Sequence, residues 1–143
     1  LAAGWLQPHK TSPQEINDLW QIVERDLHDA AAGGISHDWK YGIAYNAALK
    51  LCTILLYAEG YKPAKGAMAH SRTLNALPHL LGPERQKDAD YLDGCRQKRN
   101  TVEYDYAGGA SKRDAEELIA FGNELQAEVV IWLRQKHPKL LPR

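Results

Sequence analysis

A chain of 143 residues with 18 Lys and Arg against 18 Asp and Glu is long enough for one compact domain with its own core and too short for two ordinary ones. The charge balance excludes a general basic field of the kind that draws proteins to nucleic acid indiscriminately, so any anion site has to be local. The longest apolar passage, 43–58, is interrupted by Asn46 and Lys50, which reads as a buried helix and not a membrane span.

In chain order, Thr11-Ser12-Pro13-Gln14-Glu15 is a helix start. Ser12 is the N-cap, Pro13 the first helical residue, and Glu15 is expected to reach back as a capping box. Ile16, Leu19, Trp20, Val23 and Leu27 then make one apolar face, ended by Gly33-Gly34. Ser36 caps a second helix to about Glu59. Its Trp39, Ile43, Ala47, Leu51, Ile54, Leu55 and Ala58 leave little polar face, so it is expected at the centre. A loop over 61–66 leads to a short third helix, about 71–81, in which Pro78 implies a kink or early stop. Gly82-Pro83 separates it from a fourth helix, about 84–105, ended by Gly108-Gly109. Ser111 with Asp114 opens a fifth, striped by Leu118, Phe121, Leu125, Val129 and Trp132 and stopped by Pro138. No segment shows the two-residue alternation of a strand. The expectation is an all-α antiparallel bundle of about five helices, forming one domain over 1–143.

Cys52 and Cys95 lie in apolar helical patterns and not in a spaced framework, which suits a reducing compartment. With no signal-peptide pattern, a cytoplasmic protein is expected. The six histidines (His9, His28, His37, His70, His79 and His137) make no metal-ligand spacing, and no phosphate loop or nucleophile elbow occurs. No metal and no cofactor are therefore expected. His70 is placed as a cap of the third helix, with a groove beside Arg99 as the alternative. The tryptophans are expected in the core or at a dimer contact.

The chemistry concentrates in the fourth helix. Leu92, Cys95, Val102 and Tyr106 share one apolar stripe, and Arg99 stands in its middle. A guanidinium cannot shed its charge, so Arg99 must reach water along its stem, meet a carboxylate or face an anion-binding groove. Arg96 and Lys98 add two cations, Asn100 follows, and Glu103 and Asp105 come after. An ordinary surface ion-pair array, worth about 0.2–0.5 kcal/mol per pair, is the plain alternative. The stripe position turns Arg99 instead toward other helices or a second subunit. Gly94, costing about 1 kcal/mol of helix propensity, is expected where another backbone comes close, at a dimer axis.

The run Arg99-Asn100-Thr101-Val102-Glu103-Tyr104 resembles the signature of HEPN domains (higher eukaryotes and prokaryotes nucleotide-binding). There an arginine followed by a polar residue precedes a histidine by four to six positions late in a helical bundle. The likeness extends to the helix count, the central Tyr45-Asn46-Ala47-Ala48-Leu49-Lys50-Leu51 helix, the Ala58-Glu59-Gly60-Tyr61 ending and His70 before the third helix. It is nearest to a small bacterial branch carrying Cys-Arg-x-Lys-Arg-Asn-x-x-Glu-Tyr-Asp, here Cys95 to Asp105. The resemblance implies a metal-independent ribonuclease at a homodimer interface. Arg99 would bind the scissile phosphate, Asn100 would orient the site, and Arg96 and Lys98 would hold nucleic acid.

Tyr104 stands where the family has histidine. A tyrosine ionises near pH 10 against about 6.5 for histidine, a poor general base at neutral pH, and such a group is typically worth about 10²- to 10⁴-fold. The expected function is thus nucleotide or RNA binding with the nuclease step weak or lost. The alternatives are an endoribonuclease toxin of a toxin–antitoxin pair, using Tyr104 or a recruited histidine such as His70, and an adaptor bundle with protein partners only. In toxin members paired with a nucleotidyltransferase antitoxin the motif continues to a modified tyrosine. Tyr106 occupies that place, either as such a target or as the next residue of the apolar stripe.

Overall fold

In a computed structural model, described for residues 5–66, 68–104 and 108–142 with the side chains of 101–104 left aside, the chain is an all-α helical bundle with one very small sheet. The elements run β1 (Leu6–Pro8), α1 (Pro13–Ala30), α2 (His37–Ala58), β2 (Tyr61–Pro63), α3 (Ala69–Leu74), α4 (Gln86–Tyr104) and α5 (Lys112–Lys136).

The caps set the helix starts. Ser12 Oγ accepts from Glu15 N at 3.1 Å and Ser36 Oγ from Trp39 N at 3.1 Å. Each satisfies one of the amide donors a helix start leaves open. The capping box expected at Ser12 is not formed, because the Glu15 carboxylate turns to His9 Nε2, at 2.9 and 3.0 Å. A complete box occurs instead at α5. There Ser111 Oγ accepts from Asp114 N at 3.0 Å and Asp114 Oδ2 accepts from Ser111 N at 2.9 Å.

α2 is the axis of the fold. Ala44, Tyr45, Ala47, Ala48, Leu51, Cys52, Ile54 and Leu55 have no exposed surface, and α1, α3, α4 and α5 all pack against it. Its alanines let the neighbouring helices come close. Ile16 and Val23 of α1 and Leu118, Leu125, Val129 and Leu133 of α5 fill the space around it. At Gly122 α5 comes close to Leu27 of α1, where a Cβ would come within 2.9 Å of Leu27 Cδ2. At about 25 cal/mol per Å² of apolar surface removed from water, these helices supply the main stabilising term of the bundle.

Four expectations need correcting. β1 and β2 pair antiparallel with Leu6 opposite Pro63 and Pro8 opposite Tyr61. Three-residue strands are too short to show alternation, and the pairing joins segments more than fifty residues apart. The third helix is only Ala69–Leu74, followed by a wide π turn over Leu77–Leu81 around Pro78, whose missing N–H and ring prevent a regular continuation. The fourth begins with a separate 3-10 turn, Pro83–Arg85. Trp39 is 64% exposed, so it belongs to the surface and not the core; Trp20 and Trp132 are buried. Trp39 lies in the first turn of α2.

No helix among the described residues is long and apolar enough to cross a membrane. Cys52 and Cys95 are both free and buried. Complete burial pushes the Cys52 thiol up to about 12, so it stays protonated and inert.

A candidate anion site where the second, third and fourth helices meet

The stripe of α4 is real as far as it is described: Ala89, Leu92 and Cys95 are buried. Arg99 continues it at half burial, facing α2, with its guanidinium 5.6 Å from the centroid of the Tyr45 ring. A cation over an aromatic face is held by the ring quadrupole, with about 0.5–2 kcal/mol depending on desolvation. The sequence puzzle is thereby resolved in part: the arginine occupies an apolar position because the surface it meets is a tyrosine face. Tyr45 itself has no exposed surface, and its hydroxyl finds no hydrogen-bond partner among the described residues. Burial first, against the opposing charge of Arg96, pushes that phenol well above its ordinary value, so it remains a neutral donor.

Arg96 and Lys98 leave the stripe on opposite sides. Arg96 Nε donates to Asp93 Oδ1 at 3.0 Å, one turn back on α4. The Asp93 carboxylate also takes hydrogen bonds from Gln97 and from Ser71 of α3, which ties the short helix to α4. Burial works against the Asp93 charge, but these bonds outweigh it and hold the carboxyl below its ordinary 3.8. Lys98 turns the other way. Its Nζ lies 2.7 Å from Asp114 Oδ2 and 6.0 Å from the Tyr41 ring centroid, so it fastens α4 to the capping box of α5. Asn100 is exposed. The side chains of Glu103 and Tyr104, and all of Asp105 and Tyr106, lie outside the described residues.

His70 does not cap α3. The residue at that position is Met68, which makes no side-chain cap bond. His70 sits in the first turn of α3 and is exposed. Partial desolvation of its ring, followed by the positive charges of Arg99, Lys50 and Arg96, holds the imidazole below its ordinary 6.5. Lys50 comes from α2 and makes no ion pair among the described residues. Three elements thus bring Lys50, Arg96 and Arg99 within electrostatic reach of His70, and Arg96 and Arg99 within reach of the buried Tyr45 as well.

Asp93 offsets part of the charge of Arg96, and the remaining positive charge on this side of α4 is what an anion would meet. In the sequence Lys50 marks an interruption of an apolar helix and not a member of a site. The only sequence signal was its polarity at a position four residues from Asn46 in an otherwise buried run. Among the described residues no group of three or more His, Cys, Asp or Glu side chains is placed to hold a metal ion. No family model matches the chain, and comparison with curated proteins and with solved structures finds no match.

Proposed function

We propose that this bundle binds a phosphate-bearing ligand, a nucleotide or RNA, through Arg99, Arg96, Lys50 and His70, as an HEPN-like protein whose nuclease step is weak or lost. The observation that carries the reading is the convergence of those four groups from three helices. Guanidinium groups match phosphate oxygens in pairs and keep their charge when half buried. A neutral imidazole beside them can donate or accept one further hydrogen bond. The reading includes a cytoplasmic homodimer with α4 near the axis. Gly94 is exposed on α4, and among the described residues nothing beyond its own helix turn would meet a Cβ there within 4 Å. Fluorescence anisotropy with a labelled RNA tests the binding: Arg99→Ala is expected to weaken it tenfold or more. If the wild-type protein binds neither RNA nor nucleotide, the reading fails.

One observation favours a second reading, a metal-independent endoribonuclease of the toxin type, neutralised by a partner such as a nucleotidyltransferase antitoxin. Desolvation of the ring, and after it the charges of Arg99, Lys50 and Arg96, lower the His70 imidazole below its ordinary 6.5, which favours the unprotonated form a general base requires. In this reading His70 takes the proton of a ribose 2′-hydroxyl, the 2′-oxygen attacks phosphorus, and the bond to the 5′-oxygen breaks. The products are a 2′,3′-cyclic phosphate and a 5′-hydroxyl that regains a proton, while Arg99 offsets the charge gathering on phosphorus-bound oxygen. Incubation with mixed-sequence RNA in EDTA separates the readings. Cleavage lost in both His70→Asn and Arg99→Ala makes the protein a ribonuclease; intact RNA leaves it a binding protein.

A further inference from the structure

Away from the α4 cluster, the start of α2 and the first half of α5 form a hollow with the end of α1. Its volume is about 380 Å³, inside the roughly 300–1,000 Å³ of cavities that hold small molecules. The apolar wall is made of short side chains. Ala30, the last residue of α1, and Ala115 of α5 are buried, Ile119 is half-buried, and Ala31 and Ala120 are exposed. Longer aliphatic side chains in place of these alanines would fill the space, as they do in a close-packed interior. Among the described residues the lining shares none with the cluster of Lys50, His70, Arg96 and Arg99.

The polar part of the lining favours an anion. Lys40 and His37 come from the first turn of α2, and Lys112 opens α5. Lys40 is half-buried and makes no ion pair among the described residues. Lys112 has Glu116 at 3.7 Å, but the two side chains are 76% and 64% exposed, and an ion pair of that kind contributes little. Asp38, between His37 and Lys40 in the chain, is committed elsewhere. Its carboxylate accepts from Gly108 N at 2.6 Å and from Ala110 N at 3.0 Å, so it holds the turn before α5 and leaves Lys40 unneutralised.

We infer that this hollow is a second binding site, for a small monocarboxylic acid with a compact aliphatic body. The body lies against Ala30, Ala115 and Ile119, and the carboxylate meets the Lys40 ammonium with Lys112 and His37 as further donors. Removing the body from water supplies the undirected part of the affinity, and the lysines supply the preference for an acid. A bare inorganic anion lacks the apolar part, and a polyanion would also meet the Glu116 carboxylate. The inference does not rest on the phosphate-binding reading, because the two sets of residues are separate.

The test is backbone amide NMR of the full chain titrated with isocaproate, with its neutral amide isocaproamide and with acetate. Isocaproate is expected to move the amide signals of Lys40, Ala115 and Ile119 saturably. Isocaproamide, without the charge, and acetate, without the body, are each expected to bind at least about tenfold more weakly. Lys40→Gln is expected to lower isocaproate affinity at least about fivefold while leaving isocaproamide unchanged. Ala120→Leu, at an exposed position of the lining, should occupy the hollow and abolish binding of both. Circular dichroism shows that each variant keeps the fold. The inference is overturned by the absence of a saturable shift, by equal affinity for acid and amide or for isocaproate and acetate, or by a folded Ala120→Leu that binds as the wild type does. Shifts confined to the amides of Arg96 and Arg99 would also overturn it, since the acid would then sit in the α4 cluster. Failure of RNA or nucleotide binding leaves this inference standing, and its own failure leaves the phosphate reading untouched.

Discussion

The two flanks of α4 carry the same residue types and use them in opposite ways. On the α5 flank, Lys98 is bound to a carboxylate that is itself part of a capping box, so the charge is spent on joining two helices. On the α3 flank, Arg96 shares Asp93, while Arg99 lies over Tyr45 beside His70 and Lys50. On the first flank the lysine joins two helices, and on the second Arg96, Arg99 and Lys50 act together on His70. A run of cations along a helix thus does not define one surface. Arg96 and Lys98, two residues apart, lie far around the helix from each other.

The largest expected effect separates these flanks. Charge-assisted hydrogen bonds contribute about 1.5–3 kcal/mol, so Arg99→Ala is expected to weaken RNA binding by about 10- to 100-fold. Lys98→Ala should change it by less than about threefold, as read by titration at fixed salt. Equal losses would mean that Lys98 leaves Asp114 for the ligand and that the two flanks act as one surface. Next in size is the cap: Ser111→Ala removes the oxygen that accepts from Asp114 N and is expected to cost about 1 kcal/mol in urea unfolding, with RNA affinity unchanged. A fall in affinity would show that the α5 flank does position the site.

Gly94→Ala sharpens the comparison from the outer side of α4. With open space around the added methyl, the helix gains about 0.5–1 kcal/mol of propensity in the monomer. Under the proposed homodimer, Gly94→Leu should in addition weaken self-association; unchanged mass by light scattering for both variants would count against a subunit contact at α4.

The smallest effect is in acid. Hydrogen bonding from Lys98, then from the Ser111 backbone, lowers the Asp114 carboxyl to about 2 from its ordinary 3.8. A carboxyl whose folded value is depressed stabilises the protein fully above its unfolded value, and the contribution is lost as the pH falls through the folded value. The Asp114 contribution is therefore present above about pH 4 and disappears toward pH 2. The pair is over a third exposed, so solvent screening keeps the contribution small. Lys98→Ala should move the acid transition to higher pH by a fraction of a unit in a circular-dichroism titration. No change would assign the depressed value to the capping box alone.

His70 gives a spectroscopic check of the other flank. A bound phosphate offsets the field of Arg99, Lys50 and Arg96, so its imidazole should titrate at higher pH with a phosphodiester ligand than without it. Proton NMR of the ring reads this directly. An unmoved titration would separate His70 from the ligand.

Much of the bundle was legible in the sequence because its signals are local. Ser12, Ser36 and Ser111 each bond to an amide three residues on, and the stripes of α1 and α5 follow from the helical repeat alone. The all-apolar character of α2 required the centre. Arg99 stood out because a fixed charge in an apolar stripe demands a special surrounding, and that much needed no coordinates. What the sequence could not contain was any relation across helices. The pairing of Leu6–Pro8 with Tyr61–Pro63, the diversion of Glu15 to His9, the outward turn of Trp39 and the capture of Lys98 by Asp114 all depend on segments brought together by packing. The same is true of Lys50, His70 and Arg99. They come from three helices, and only the tertiary fold decides that their charges share one place, because electrostatic energy depends on separation in space and not along the chain.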